Sequence, residues 1–425
     1  MPCANDRPPN ATPVASRRRS STMTVTIEPA ASFDDPALPP ESELLPWDDQ
    51  EFRDNPYPWY EKVRAESPVY QVSDGTYLVF RHADIVRWGK DPCMSVADPD
   101  MGAWEAFAYT MLFKDPPEHT ALRRRTAKWF TPKLIKRWAE HTADVVRETL
   151  DAATPGEVIE AHLELAVKPT HVTMCRILGF PEHDVKPVPE SMITAMDALV
   201  AEPHPDSDAA AAQAFAYLEG RVREMIAEKR RNPGTGLADE LIAAQDRGEL
   251  TELNVLQTLM LLFGSGGHNP GFTGAIGLEF FAQRPDILET YRNQPEERSM
   301  IIEELIRLNP AEMSFPRITT ADIEISGVQI SAGSTIRFMI GSANRDPEVF
   351  ERPDEFDHTR PLAAKHLSFS IGPHACAGQL LSRVELETMF TTVAERCERI
   401  ELAGEPVTYH TDRGRNYRSL PIRLH

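Results

Sequence analysis

Cys376 lies in the segment Phe369-Ser370-Ile371-Gly372-Pro373-His374-Ala375-Cys376-Ala377-Gly378, and no other stretch restricts the chain so strongly. A lone cysteine in a protein interior is ordinarily inert packing. The neighbours here argue otherwise. Gly372 and Gly378 bracket the residue, permitting backbone turns closed to other amino acids and a close approach to a flat ligand. Helical spacing starts just after it, over 377–396, so the first amides and the dipole of that helix face the sulfur. Both favour thiolate over thiol.

Phe-x-x-Gly-x-His-x-Cys-x-Gly, met at Phe369, Gly372, His374, Cys376 and Gly378, resembles the haem-ligand signature of the cytochrome P450 family. The resemblance implies haem b with Cys376 as the metal ligand, its thiolate pushing electron density onto iron and favouring O–O cleavage. It also implies that Phe369 packs near the sulfur and that His374 reaches a haem propionate. Glu304-Leu305-Ile306-Arg307 resembles the family's Glu-x-x-Arg helix, with Arg360 of Phe356-Asp357-His358-Thr359-Arg360-Pro361 completing it. On spacing alone Glu304 and Arg307 only share a helix face, as surface pairs do. The resemblance makes them, with Arg360, a buried network that fixes the cysteine loop. His119 and Arg123, after Asp115-Pro116-Pro117-Glu118, resemble the family's helix beneath the haem, and Arg317 matches another propionate-binding arginine. Taken singly, each reads equally as a surface charge. Together with His374 they make an expected set of propionate ligands, joined by charge-assisted hydrogen bonds. The likeness runs from about Pro56 to the C-terminus.

Spacing predicts a mainly α chain with a minor β-sheet region (α+β); the resemblance adds a cytochrome P450-like fold, haem held between a long kinked helix and the cysteine loop. Trp59 to Glu66 reads as a short helix, and Pro68 to Phe80 as a hairpin turning at Asp74-Gly75. Helical spacing dominates 116–230, broken at Thr154-Pro155-Gly156 and from Pro203 to Asp208, and Asn232 to Gly236 is a stop. A long apolar helix spans about Glu252 to Gln283, another about Pro295 to Leu308, and Ile323 to Ile340 alternates as strands. Residues 1–45, Pro-rich and without an apolar segment after Arg17-Arg18-Arg19, read as a disordered leader and not a signal peptide. Residues 46–425 then form a single catalytic domain.

A formal charge of −20 argues against nucleic acid or an anionic membrane surface as partner. No apolar run of about 18 residues exists to span a membrane. Five widely spaced cysteines are no disulfide framework and suit a cytoplasmic protein.

The long helix departs from the family pattern. It reads Gly264-Ser265-Gly266-Gly267-His268-Asn269-Pro270, where members carry Ala/Gly-Gly-x-Asp/Glu-Thr, the acid and alcohol relaying protons to bound dioxygen. Aligned on Gly267, Asn269 replaces the acid and Pro270 the alcohol. Pro270 should kink the helix, and the glycines should open a groove beside the haem. Ser265, His268 and Asn269 are then candidates to hold a proton-carrying water; His268 reads more simply as a polar position near the kink. Gly266, Gly267, His268, Asn269 and Pro270 form the expected catalytic stretch.

Arg123, Arg124, Arg125, Lys128, Lys133, Lys136 and Arg137 fall within 123–137 with no acid among them. Such a run is either a solvated helix face or a dock for an acidic protein, steered by charge. The resemblance favours a ferredoxin, docking near Arg124, Arg125, Lys128, Lys133 and Lys136, with a separate reductase drawing on NAD(P)H. The expected function is insertion of one oxygen atom from O2 into a small apolar or aromatic substrate, by hydroxylation or oxidative dealkylation. A peroxide-using or otherwise atypical oxidase is the alternative that Asn269-Pro270 leaves open. Met101, Trp104, Phe107, Tyr109, Met111 and Phe113 are either the apolar wall of a substrate pocket or ordinary core.

Overall fold

The computed structural model describes residues 41–97, 102–154, 156–200, 205–361, 366–408 and 417–425. Residues 1–40, most of the expected leader, together with Met101, Pro155 and Pro203, lie outside them. Residues 41–45 do not belong to a leader: Glu41–Leu44 forms a short helix (α1), and Leu44 and Leu45 are buried against Phe52, Tyr60 and Phe80.

The N-terminal third supplies α2 (Gln50–Asp54), α3 (Tyr57–Glu66) and α4 (His82–Trp88) around a hairpin of β1 (Val69–Gln71) and β2 (Tyr77–Val79). The hairpin pairs Val69 with Val79 and turns where Gly75 adopts φ +88°, as Asp-Gly spacing dictates. β3 (Met94–Ser95) follows, then α5 (Glu118–Ala127), α6 (Pro132–Ala152), β4 (Ile159–Glu160) and α7 (Lys168–Leu178). Helices α8 (Pro187–Val200), α9 (Pro205–Arg231) and α10 (Leu237–Asp246) lead to α11 (Glu252–Gln283). The loop expected from Pro203 to Asp208 is thus already helical from Pro205.

α11 is the axle of the fold. Thr251 caps it, accepting from the Asn254 amide while Asn254 Oδ1 accepts from the Thr251 amide. Most of its 32 residues are buried, the mark of a helix packed on all sides. It runs through Pro270 as one helix. Gly274 lies against Met389 and Gly277 against Phe390 of α15 (Gln379–Ala394), while Leu381 shares a core cluster with Leu261, Leu262 and Phe263. The turns before Gly274 therefore sit toward the end of α15 that follows Cys376.

Between α11 and α15 come α12 (Pro285–Asn293), α13 (Arg298–Leu308), α14 (Ile340–Ala343) and strands β5 (Ser314–Thr319), β6 (Ile323–Ile325), β7 (Val328–Ile330) and β8 (Thr335–Met339). The main sheet has order β1-β2-β8-β5-β3, with β2 and β8 parallel. β5 had no clear sequence signal, because Pro316 interrupts it; its pairing with β8 places Arg317 opposite Ile336. Strands β9 (Ile400–Leu402), β10 (Val407–Thr408), β11 (Tyr417–Ser419) and β12 (Pro421–Leu424) close the chain. Mostly helical with small sheets, the architecture is the expected class. Among the described residues no helix is long and apolar enough to cross a membrane.

Candidate active site

The cysteine loop is folded by its own backbone. Cys376 N donates to Phe369 O (2.8 Å) and Ala375 N to Gly372 O (3.1 Å). Gly372 has φ +75°, and a Cβ there would stand 2.6 Å from Gly89 O, so only glycine lets the loop lie on the end of α4. α15 begins at Gln379, and the amides of Gly378 and Gln379 point at the sulfur. The thiol lies deep in the chain, yet its surface is open. Burial raises the Cys376 thiol above its ordinary range, against the pull of the two amides, Arg123 and Arg383. Two other buried thiols are pushed up to about 12 (Cys175) and about 11 (Cys397), where only a neighbouring arginine opposes burial, and they stay inert.

Beneath the loop, α13 holds two adjacent acids with separate tasks. Glu304 takes a bidentate pair from Arg307 (2.7 Å each), a bond from Arg360 Nε (3.2 Å) and the Asp357 amide (3.1 Å). Arg307 also donates to Asn344 O and Pro353 O. All three charged residues are buried. The expected network exists as a closed structure. Glu303, which the sequence did not single out, binds His366 (2.9 Å) and Arg383, whose guanidinium lies 4.4 Å from the centre of the Phe369 ring. Burial opposes ionisation of Glu303, but its bonds to His366 and Arg383 hold the carboxyl down to about 2. Asn344 completes the frame: it accepts the Leu367 amide (2.7 Å) and donates to Ser368 Oγ (2.8 Å).

Beside the thiol the situation reverses. The His119 and His374 rings meet at a tilt with centroids 4.1 Å apart, and both His119 nitrogens and His374 Nε2 are buried without a hydrogen-bond partner among the described residues. Arg317 is 7% exposed and, among the described residues, donates only to its neighbour's carbonyl, Pro316 O (2.7 Å). Asp115 is close but already accepts from Ser95 Oγ and the Val96 amide. Burial pushes Arg317 down to about 10, which leaves it a cation at neutral pH. Burial first, then His119 and Arg317, push His374 down to about 3, and burial also lowers His119. The histidines are therefore neutral N–H donors in the protein alone. Arg123 Nη1 reaches Pro373 O (3.1 Å), which ties α5 to the loop. Orphaned donors of this kind, next to an open thiol, fit a flat macrocycle with carboxylate arms. The residues fit haem.

The α11 residues split between two faces. Gly266 and Gly267 face α7: a Cβ on Gly266 would lie 2.7 Å from Met174 Sδ, and one on Gly267 would lie 2.6 Å from the His171 ring. These glycines thus permit close helix contact, where a groove beside the haem had been expected. His268 is on the same side, fully buried between Phe272 (centroids 4.0 Å) and His171 (5.7 Å). Ser265 and Asn269, one turn apart, are not packed: Ser265 is exposed and Asn269 half-buried, in the middle of an otherwise buried helix. Pro270 is buried. Of the aromatic set, Trp104, Phe107, Met111 and Phe113 pack into the core cluster with Met192, Met196 and Phe215, while Tyr109 is 45% exposed.

The basic run is only partly available. Arg125 pairs with Glu249 (2.7 Å) and Lys128 with Glu240, tying α5 and its end to α10 and the loop after it. Arg124, Lys133, Lys136 and Arg137 are exposed, with no ion pair to any described residue.

Residues 298–412 match the family described as cytochrome P450. The chain is 31% identical to nocardicin C N-oxygenase of Nocardia uniformis subsp. tsuyamanensis, over 87% of this chain and 94% of that one. It is 30% identical to cytochrome P450 monooxygenase PikC of Streptomyces venezuelae, over 88% of this chain and 92% of that one. Among solved structures, P450BioI in complex with an acyl carrier protein ligated to hexadec-9Z-enoic acid superposes with TM-score 0.81 at 25% identity, covering 88% of this chain and all of that one.

Proposed function

The chain belongs to the cytochrome P450 family and is a haem-thiolate monooxygenase; on that premise we propose that it oxygenates a small apolar or aromatic molecule with electrons from a separate ferredoxin and reductase. The balance is one C–H bond, O2, two electrons and two protons giving one C–OH bond and water. Bound haem supplies the metal at which dioxygen is reduced and its O–O bond cleaved. The rest is done by this chain. Cys376 ligates the iron, and the Gly378 and Gln379 amides offset negative charge on its sulfur. Arg317, His119 and His374 hold the carboxylate arms, and Phe369 packs beside the ligand loop. Ser265, whose hydroxyl donates to Leu261 O, and Asn269, both unpacked on α11, would hold a water.

One observation carries this reading: both His119 nitrogens and His374 Nε2 are buried without partners among the described residues, close to Arg317 and next to the loop of an exposed Cys376. A chain that kept them without a ligand would bear the desolvation of each donor, about 1–3 kcal/mol apiece. For the electron donor, support comes from Arg124, Lys133, Lys136 and Arg137, exposed cations in a chain of net charge −20. Arg125 and Lys128 are already engaged and drop out of the proposed dock.

Asn269-Pro270 sustains a second reading, turnover with hydrogen peroxide alone, because neither residue carries an acidic proton. Turnover of haem-loaded protein is to be compared with NAD(P)H, ferredoxin and reductase, and with peroxide alone. Product from the electron chain supports the first reading. Product from peroxide only replaces it with the second.

A further inference from the structure

Two backbone irregularities meet at the middle of α11. Pro270 has no N–H for the carbonyl of Gly266 and its ring crowds that carbonyl, so the helix ladder alone does not hold this turn. Opposite it, the chain enters α7 through π-helical turns, His162–Val167. Such turns often mark functional positions. The helices are almost in backbone contact here: a Cβ on Gly271 would stand 2.8 Å from Val167 Cα.

One side chain clasps the two. Thr170, fully buried on α7, donates its hydroxyl to Gly267 O across the gap at 2.6 Å. The same hydroxyl lies 2.9 Å from Val167 O and 3.2 Å from Ala166 O. It has one proton to give, and the shortest contact is the one to α11. His171, next along, bonds Val167 O at 2.8 Å, which secures the π-helical side of the clasp.

Resting on the monooxygenase reading, we propose that Thr170 is a positioning residue: its hydroxyl holds the Gly267 carbonyl toward α7 and so fixes the Pro270 turn with Ser265 and Asn269 on the unpacked face of α11. Gly266 and Gly267 have more backbone freedom than any neighbour, and they precede the one residue that cannot donate to the ladder. If Gly267's carbonyl swings, Asn269, two residues on, turns with it. A helix carrying its own acid and alcohol tolerates such movement better than one that holds a water between Ser265 and Asn269. Small displacements of a positioned group are costly to catalysis.

The test uses haem-loaded protein and two variants, Thr170→Val, which keeps shape and loses the donor, and Thr170→Ser, which keeps the donor. Three quantities are read: amide hydrogen exchange across residues 266–274, the share of electrons that leave as hydrogen peroxide (O2, two electrons and two protons), and the carbon monoxide band of the thiolate-ligated iron. Thr170→Val should speed exchange about fivefold, the effect of one lost hydrogen bond. It should also raise the peroxide share about twofold or more through loss of positioning. Thr170→Ser should behave as the parent. Faster exchange with an unchanged peroxide share reduces Thr170 to a packing role and overturns the proposal. So does a valine variant identical to the parent, or a serine variant as damaged as valine. The band separates the two levels of argument. Its absence from the parent defeats the monooxygenase reading; where all three proteins show it, exchange and peroxide share alone decide the role of Thr170.

Discussion

The polar residues under the cysteine loop and those beside its thiol are similar in type and opposite in state. Under the loop, Glu304, Arg307 and Arg360 satisfy one another and the carbonyls around them. Beside the thiol, both His119 nitrogens and His374 Nε2 have no partner among the described residues, and Arg317 has only its neighbour's carbonyl. The first arrangement is finished by folding and has nothing left to bind with. The second is finished only by a ligand that brings acceptors. Burial of charge therefore does not mark a functional site; an unbalanced donor count does. His162 and His171 set the limit of that rule, since His162 Nδ1 and His171 Nε2 are also orphaned. They lie on the α7 side of α11 among apolar rings, His162 stacked on Phe272 at 5.8 Å, and stay neutral as packing.

The contrast can be broken from its closed side first. Glu304→Ala should cost about 3–5 kcal/mol of unfolding free energy, because it strands two buried guanidinium groups. Urea denaturation checks this; a loss below about 1 kcal/mol, the range of exposed pairs, would mean the network is not closed.

Acid tests the neutral histidines next. Burial holds His162 and His171 down to about 4 in the folded chain, against an ordinary 6.5. The unfolded chain takes up these protons below pH 6.5 and the folded chain only near pH 4, so stability falls as pH drops through that window. The loss approaches about 3 kcal/mol for each histidine at the lower end. Glu303, held near 2, extends the loss from about pH 4.5 downward. Unfolding free energies flat between pH 7 and 4.5 would contradict the burial of both rings.

On the open side, Arg317→Leu should leave the apoprotein no less stable, since it removes an uncompensated buried cation. It should weaken haem binding about tenfold to a hundredfold, the worth of hydrogen bonds to a charged group. A destabilised apoprotein with unchanged haem affinity would place Arg317 in the closed class. The smallest effect is at the surface: Lys133→Glu with Lys136→Glu should slow reduction by ferredoxin a few-fold at low salt, the difference fading at high salt. A salt-independent rate would remove these residues from the dock.

Local signals carried the sequence a long way. α11 has the bounds that its apolar run predicts, Glu252 to Gln283. The cysteine loop was legible because ten consecutive residues hold both the thiol and the glycines its turns require. What escaped was long-range. Glu303 carries no local signal, and its partners lie 63 and 80 residues away. Thr170 meets Gly267 across 97 residues. The direction in which Gly266 and Gly267 face depends on how α7 packs, which spacing within α11 does not encode. Arg125 and Lys128 read as free cations because Glu249 and Glu240 come from a different helix and the loop after it.

The central claim is that Cys376 sulfur is the protein's bond to iron. X-ray absorption at the iron edge of haem-loaded protein measures it directly. One sulfur scatterer at bonding distance, lost in Cys376→Ser while porphyrin nitrogens remain, is the expected result. Nitrogen and oxygen alone around the iron of the parent protein, or a sulfur signal that survives the substitution, would contradict it.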